Sequence, residues 1–173
     1  MTENNTALVA RYQTTTEELL QLIGRFDNES FNHKPSPDKW SAGEVTEHLL
    51  IFDLRLTDIL KTAVHPTERD ITEKNHTVTA RVSNRANKID APPFLIPSAD
   101  TKSPSILVEK IHTERMAISK VIERIDLSLH SKDFPHRLFG ELTVYEWVNL
   151  IDLHTRRHMA QLGELLANNK VNP

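Results

Sequence analysis

The sequence predicts an all-α protein, and two observations indicate this fold class. Aliphatic residues recur mostly at intervals of three and four rather than two, as they do on one face of a helix. Only 4 of the 173 residues are glycine, which also favours helices over strands. With 38% hydrophobic and 26% charged residues, the chain has the composition of a globular protein. We therefore expect a single domain over residues 1–173, built from four long helices with almost no strand.

Two helices are predicted in the first part of the chain. The first spans about residues 5–27 and has one apolar face, formed by Val9, Tyr12, Thr16, Leu19, Ile23 and Phe26. The second spans about residues 41–63 and begins at Ser41, a natural N-cap, with Glu44 three residues later to complete a capping box. Its apolar face is formed by Val45, Leu49, Phe52, Leu56, Ile59 and Ala63.

Two more helices are predicted in the second part of the chain. The third spans about residues 104–126, with Ser103 as N-cap and Pro104 at the first helical position. Its apolar face is formed by Leu107, Ile111, Ile118, Ile122 and Ile125. The fourth spans about residues 143–168 and begins with a second capping box, Thr143 and Glu146. Its apolar face is formed by Val144, Trp147, Val148, Ile151, Leu162 and Leu165.

The segment between the second and third helices, residues 64–102, is predicted to be a long loop. It contains four of the nine prolines and no sustained apolar period, which argues against a fifth core helix. Loops of this length are usually functional or disordered. Its length would also let the second and third helices run parallel to each other.

Composition excludes several classes of function. The net charge is −3, without a long run of one sign, so we expect no nucleic-acid partner and no binding to an anionic membrane. The absence of cysteine excludes a disulfide framework, a thiolate zinc site and a protein-borne thiol nucleophile. The N-terminal sequence has no apolar signal region, and no run of 18 apolar residues occurs. We expect a cytoplasmic protein that acts on a small-molecule substrate.

Two histidines interrupt the apolar face of the fourth helix. His154 and His158 are four residues apart, so their imidazoles share one helix face and point toward the interior. A buried polar ring needs a partner, and a metal ion held by both rings is one possibility. The alternative is two core histidines that bond to other side chains or to water. If the rings bind metal, affinity should weaken as the pH falls through the unperturbed histidine pKa of about 6.5.

The best candidate for a third ligand is His48, at the border of the apolar face of the second helix. Its alternative is a partly exposed helix residue with no special role. Glu114, predicted on the apolar face of the third helix, is a candidate for orienting a ligand or binding metal, with a solvated carboxylate as the alternative. His65 and His76, in the 64–102 segment, are candidates for the mouth of the site. No role is assigned to His33, His112, His130 and His136.

Together these segments resemble the DinB/YfiT-like family of small metal-binding four-helix proteins. The resemblance covers about residues 5–168. It rests on Trp40, Ser41, Glu44, Val45 and His48, on the paired prolines of the loop, and on the closing sequence PHRLFGELTVYEWVNLIDLHTRRHMAQL. It implies an up-down-down-up bundle, often dimeric, with zinc or nickel held by His48, His154 and His158.

The resemblance also implies a chemistry. Several relatives are transferases or isomerases that use a low-molecular-weight thiol such as bacillithiol or mycothiol, so we expect thiol-dependent S-transfer. A metal-dependent hydrolase that activates water is the main alternative, and a non-catalytic metal-binding bundle is the third. Zincin-type hydrolysis is disfavoured because Thr155, rather than the glutamate that serves as general base, follows the first histidine of the pair. Three histidines leave a coordination position open, as in catalytic rather than structural zinc sites.

Overall fold

The computed structural model describes residues 4–86 and 90–169 and confirms a mainly helical protein. The helices, in chain order, are α1 (Asn5–Ile23), α2 (Asn28–Asn32), α3 (Ala42–Thr62), α4 (Asn75–Ser83), α5 (Pro104–Ile122) and α6 (Val144–Asn169). A 3₁₀ turn covers Pro93–Leu95, and two short strands, β1 (His65–Pro66) and β2 (Leu129–His130), complete the described elements. The four long helices α1, α3, α5 and α6 correspond to the four predicted ones.

Both predicted capping boxes are present. The Ser41 hydroxyl accepts a hydrogen bond from the Glu44 backbone N–H at 3.2 Å, and Glu44 accepts one from the Ser41 N–H at 2.8 Å. Thr143 and Glu146 exchange the same two bonds at 3.1 and 3.0 Å. These boxes satisfy backbone donors that a helix start leaves free. They fix where α3 and α6 begin, and these are the helices that carry the three candidate histidines.

The predicted ends of the first and third helices are wrong, because each helix ends about one turn earlier. α1 ends at Ile23 and α5 at Ile122. Tighter three-residue hydrogen bonds follow, from the Phe26 N–H to the Ile23 carbonyl at 3.1 Å and from the Arg124 N–H to the Val121 carbonyl at 3.1 Å. The apolar spacing continues beyond the helix, since Phe26 is still buried in the core. Sequence periodicity therefore places the end too late.

The long helices pack around a core in two parts. α1 and α3 each contact both α5 and α6. One apolar cluster includes Tyr12, Leu56, Ile118 and Ile151, and the other includes Leu19, Leu49, Ile111 and Leu162. Between these two sets of residues, each long helix contributes a buried polar residue to a polar layer: Thr15, Asp53, Arg115 and Thr155.

The prediction that residues 64–102 form a loop without a core helix is wrong. The segment contains α4, which packs against α6 and buries Val78 and Val82 completely or nearly so. A helix of 9 residues is too short to be stable alone and depends on tertiary packing. Two apolar residues one turn apart give too weak a period to distinguish it from a loop.

A two-stranded antiparallel pairing fixes the start of this segment. His65 lies opposite His130, and Pro66 lies opposite Leu129. The pairing joins the chain after α3 to the chain before α6. Within the ranges that the structure describes, no helix combines the length and the apolarity needed to span a membrane.

Candidate metal centre

Two helices bring the three candidate histidines together. His48 lies on the buried side of α3, while His154 and His158 lie one turn apart on α6. His48 Nε2 is 3.2 Å from His154 Nε2, and His158 Nε2 is 3.1 Å from the same atom. One ligand nitrogen from each ring lies within 4.8 Å of the others. The three side chains form a group that could hold a divalent metal ion.

The outer nitrogens of two of these rings have acceptor partners. The Leu95 carbonyl oxygen lies 2.8 Å from His48 Nδ1, and the Gln161 side-chain oxygen lies 2.9 Å from His158 Nδ1. A carbonyl oxygen only accepts, so each neutral ring carries its proton on Nδ1 and leaves the lone pair of Nε2 free. Such outer partners orient the histidine ligands of metal sites.

The three Nε2 atoms are arranged better for binding a metal ion than for hydrogen bonding to one another. With protons on both outer Nδ1 atoms, the Nε2 atoms of His48 and His158 are acceptors, and both face His154 Nε2. A single proton on His154 Nε2 can satisfy one of them but not both. An ion at the shared point would accept a lone pair from each ring, so the donor set fits a divalent cation that takes imidazole nitrogen.

His154 differs from the other two in its surroundings. Its Nδ1 has no hydrogen-bond partner in the described part of the chain. Its ring packs against Phe52, with the centroids 4.6 Å apart. Apolar packing rather than an outer hydrogen bond therefore holds this ring.

The three rings favour the neutral form that metal ligation requires. Burial, reinforced by nearby His48 and opposed by the bond to Gln161, lowers the pKa of His158 to about 3. Burial also places the pKa of His154 well below its ordinary value, with the other two histidines and Arg115 adding to the shift. Burial lowers the pKa of His48 despite the opposing bond to Leu95. Near neutral pH all three are unprotonated.

This arrangement gives a testable pH dependence for the metal-free protein. The unfolded chain takes up protons on its histidines below about pH 6.5, whereas the folded protein resists protonation of His158 until about pH 3. Between these values the unfolded state binds more protons, so the free energy of unfolding should fall as the pH falls. Urea unfolding at several pH values measures how steeply the free energy of unfolding depends on pH. His158→Gln should make this dependence shallower. Equal slopes for the two proteins would contradict the assigned environment of His158.

The histidines lie in a cavity of about 750 Å³. The cavity is large enough for a small organic molecule. Aromatic side chains form much of its lining: Trp40, Phe52, Phe94, Phe134, Phe139 and Trp147. Residues 90–95, from the connection between α3 and α5, form part of the wall. The predicted loop therefore contributes to the site through Leu95, which also accepts the bond from His48.

The structure places other candidates away from this cavity. Glu114 accepts a hydrogen bond from Thr57 and does not reach the histidines, so its predicted role as ligand or orienting group is wrong. His65 stacks near His130, with ring centroids 5.7 Å apart, and His76 is exposed. Neither lines the cavity, so their predicted place at its mouth is wrong.

His136 lines the cavity, although sequence reasoning assigned it no role. It lies in a turn closed by hydrogen bonds between His136 and Gly140 at 2.7 and 2.8 Å. Gly140 has a φ of +66°, a conformation that glycine adopts without steric cost. The Leu138 N–H donates to His136 Nδ1 at 3.2 Å, and burial lowers the pKa of His136 to about 4. His136 is therefore neutral near pH 7, with its proton on Nε2.

A buried ion pair supports α6 beside the histidines. Arg115 Nε donates to Asp53 Oδ2 at 2.7 Å, and Arg115 Nη2 donates to Thr155 Oγ1 at 2.8 Å. Both charged side chains are almost fully excluded from solvent. Thr155 directly follows His154. The hydrogen bond from Arg115 to Thr155 therefore supports the part of α6 that carries His154 and His158. Sequence reasoning missed Asp53 and Arg115, although Arg115 lies in a gap of seven between Ile111 and Ile118 on the apolar face of its helix.

The chain is similar to known proteins over most of its length. The sequence profile of the DinB superfamily matches residues 11–162. The chain belongs to the DinB superfamily. It is 33% identical over 157 residues to the uncharacterized protein YuaE of Bacillus subtilis strain 168, across 90% of this chain and 92% of that protein. No solved structure matches the chain.

Proposed function

We propose that this protein is a metal-dependent enzyme that transfers a low-molecular-weight thiol to an electrophilic small molecule. His48, His154 and His158 hold a divalent ion, zinc or nickel. The observation that carries the proposal is the meeting of their three Nε2 atoms in a cavity that can admit a substrate. Membership of the DinB superfamily supports the same assignment.

The chemistry follows from the number and charge of the ligands. When bound by three neutral imidazoles, the ion keeps its full charge and an open position, where a thiol becomes more acidic. The Leu95 carbonyl holds the His48 ring in orientation, and Gln161 does the same for His158. The aromatic lining limits water around the reacting groups.

The absence of cysteine suits this reaction. An electrophile that enters the cavity meets no protein thiol, so the enzyme does not alkylate itself at cysteine. In the transfer step the thiolate sulfur forms a bond to the electrophilic carbon. The bond from that carbon to its leaving group breaks, and the proton of the thiol passes to solvent. No redox partner is required.

We also infer the assembly and the setting of the enzyme. The four long helices form an up-down-down-up bundle in one domain over residues 1–173, and two copies associate as a homodimer in the cytoplasm. Sedimentation at micromolar concentration tests the dimer, and a monomer there would contradict it. The bundle rests on the pairwise packing of α1, α3, α5 and α6, and the dimer and its setting rest on the superfamily.

A thiol-consumption assay tests the proposed activity. The protein, stripped of metal or loaded with zinc or nickel, is mixed with 1-chloro-2,4-dinitrobenzene and one of cysteine, glutathione, bacillithiol or mycothiol. We expect thioether formation and chloride release to depend on the metal and to be lost in His154→Ala. An equal rate with stripped protein would contradict the proposal. Metal-dependent cleavage of an activated ester without thiol would instead favour the hydrolase.

A further inference from the structure

Arg55 is one of four arginines among the described residues that line the cavity of the histidines. Arg55 lies on α3, seven residues after His48, and both line the cavity with Phe52 between them. Seven residues of helix advance about 10 Å along the axis. His48 and Arg55 therefore lie about 10 Å apart along the axis of α3, and both side chains face the same cavity.

The guanidinium of Arg55 is held by aromatic rings. Its Cζ lies 4.0 Å from the ring centroid of Phe134 and 5.6 Å from that of Phe94. Both distances are within the range of cation–π attraction. Ring packing of this kind engages the face of the guanidinium and leaves the N–H groups at its edge available as donors.

Arg55 has no polar partner in the part of the chain that the structure describes. No hydrogen bond or ion pair joins it to residues 4–86 or 90–169. Two other arginines of the cavity are engaged with backbone carbonyls: Arg137 donates to Asp90, and Arg157 donates to Val82 and Asn84. Arg55 is thus a partly buried cation whose donors remain available to a ligand.

The charge around the cavity is also positive. Among the described lining residues, five are cationic and three are anionic: Lys39, Arg55, Arg81, Arg137 and Arg157 against Asp38, Asp90 and Asp133. A bound divalent ion would add to this excess. A net excess of one sign of charge around a cavity favours ligands of the opposite sign.

We propose that Arg55 binds a terminal oxyanion of the substrate or thiol, while the opposite end of that molecule lies at the three histidines. The ligand is therefore an elongated anion with a carboxylate or phosphate at one end and the reactive group at the other, of a length comparable to the roughly 10 Å of helix between Arg55 and His48. Guanidinium recognises either oxyanion through paired N–H donors. This inference rests on the proposed function for the identity of the reactive end.

Binding of matched thiols to the cobalt-loaded protein tests the proposal. The probes are ω-mercaptooctanoate, the phosphonate of the same length and the neutral ω-mercaptooctanol, followed by visible absorption of the cobalt. We expect an anionic probe to bind about tenfold more tightly than the alcohol, and the preferred anion identifies carboxylate or phosphate. Arg55→Gln should remove this preference, Arg55→Lys should restore part of it, and exposed Arg124→Gln should leave it unchanged.

A second measurement tests Arg55 without the metal. Phenylglyoxal modifies accessible arginines, and mass spectrometry locates the product. Octanoate or octyl phosphonate should protect Arg55 in stripped protein, whereas octanol should not. Protection there together with no thiol binding to the cobalt protein would overturn the proposed function and support the oxyanion site. Equal modification of Arg55 with and without both anions, or equal binding of charged and neutral thiols, would overturn the inference about Arg55.

Discussion

His154→Ala is expected to lose most of the metal affinity of the protein. His154 Nε2 lies between the Nε2 atoms of His48 and His158, so its removal takes away the central donor of the group. Ligands in one coordination sphere act together, and each of the other two replacements should have a similarly large effect. Elemental analysis after stripping and reloading with zinc or nickel measures bound metal per chain.

His112→Ala is the matched control, because His112 is exposed on α5 and should leave metal binding unchanged. Far-UV circular dichroism should show the helices intact in both variants, since the core does not depend on the ion. A full equivalent of tightly bound metal in His154→Ala would refute the metal centre. Two core histidines with other partners would then be the better interpretation.

Asp53→Ala is expected to give the largest loss of stability from a single substitution. It leaves the guanidinium of Arg115 buried without its carboxylate, and both side chains are at most 1% exposed. Breaking such a pair by removing one partner costs about 3–5 kcal/mol. Urea denaturation followed by circular dichroism measures the change in the free energy of unfolding.

Asp58→Ala is the control on the same helix, because Asp58 pairs with Lys61 at the surface. Asp58→Ala should lower the free energy of unfolding by at most about 1 kcal/mol. Replacing both buried partners, Asp53→Leu with Arg115→Met, should recover much of the loss, since no isolated charge then remains. If Asp53→Ala were no more destabilising than Asp58→Ala, the buried pair would not contribute to the free energy of unfolding as proposed.

The helices could be predicted from sequence because the signals that mark them are local. Capping boxes and apolar residues at helical spacing located the starts of α3 and α6 correctly. The ends of α1 and α5 could not be located from sequence, because Phe26 and Ile125 continue the apolar pattern beyond the last residue of each helix. α4 was missed because its 9 residues depend on contact with α6 for their stability.

The histidine group was predictable because the sequence alone shows imidazoles at positions where the helical pattern expects apolar residues. The polar layer was harder to recognise. Asp53 and Arg115 occupy core positions, but sequence reasoning assigned Phe52 and Glu114, their neighbours, to the same faces. A helix face is broad enough to accept either neighbour, and only packing decides between them. The cavity could not be predicted from sequence, because its wall includes residues 90–95. These residues are distant in sequence from every histidine of the group.

The bond from His48 to the Leu95 carbonyl would couple the binding of an ion at the three histidines to the packing of a chain segment. If docking of Pro93–Leu95 strengthens ion binding through His48, ion binding must strengthen that docking by the same factor. Amide hydrogen exchange in this segment should therefore slow when the ion is bound. A substrate that displaced the segment would weaken binding of the ion, so the Leu95 carbonyl would link entry of a ligand to retention of the metal.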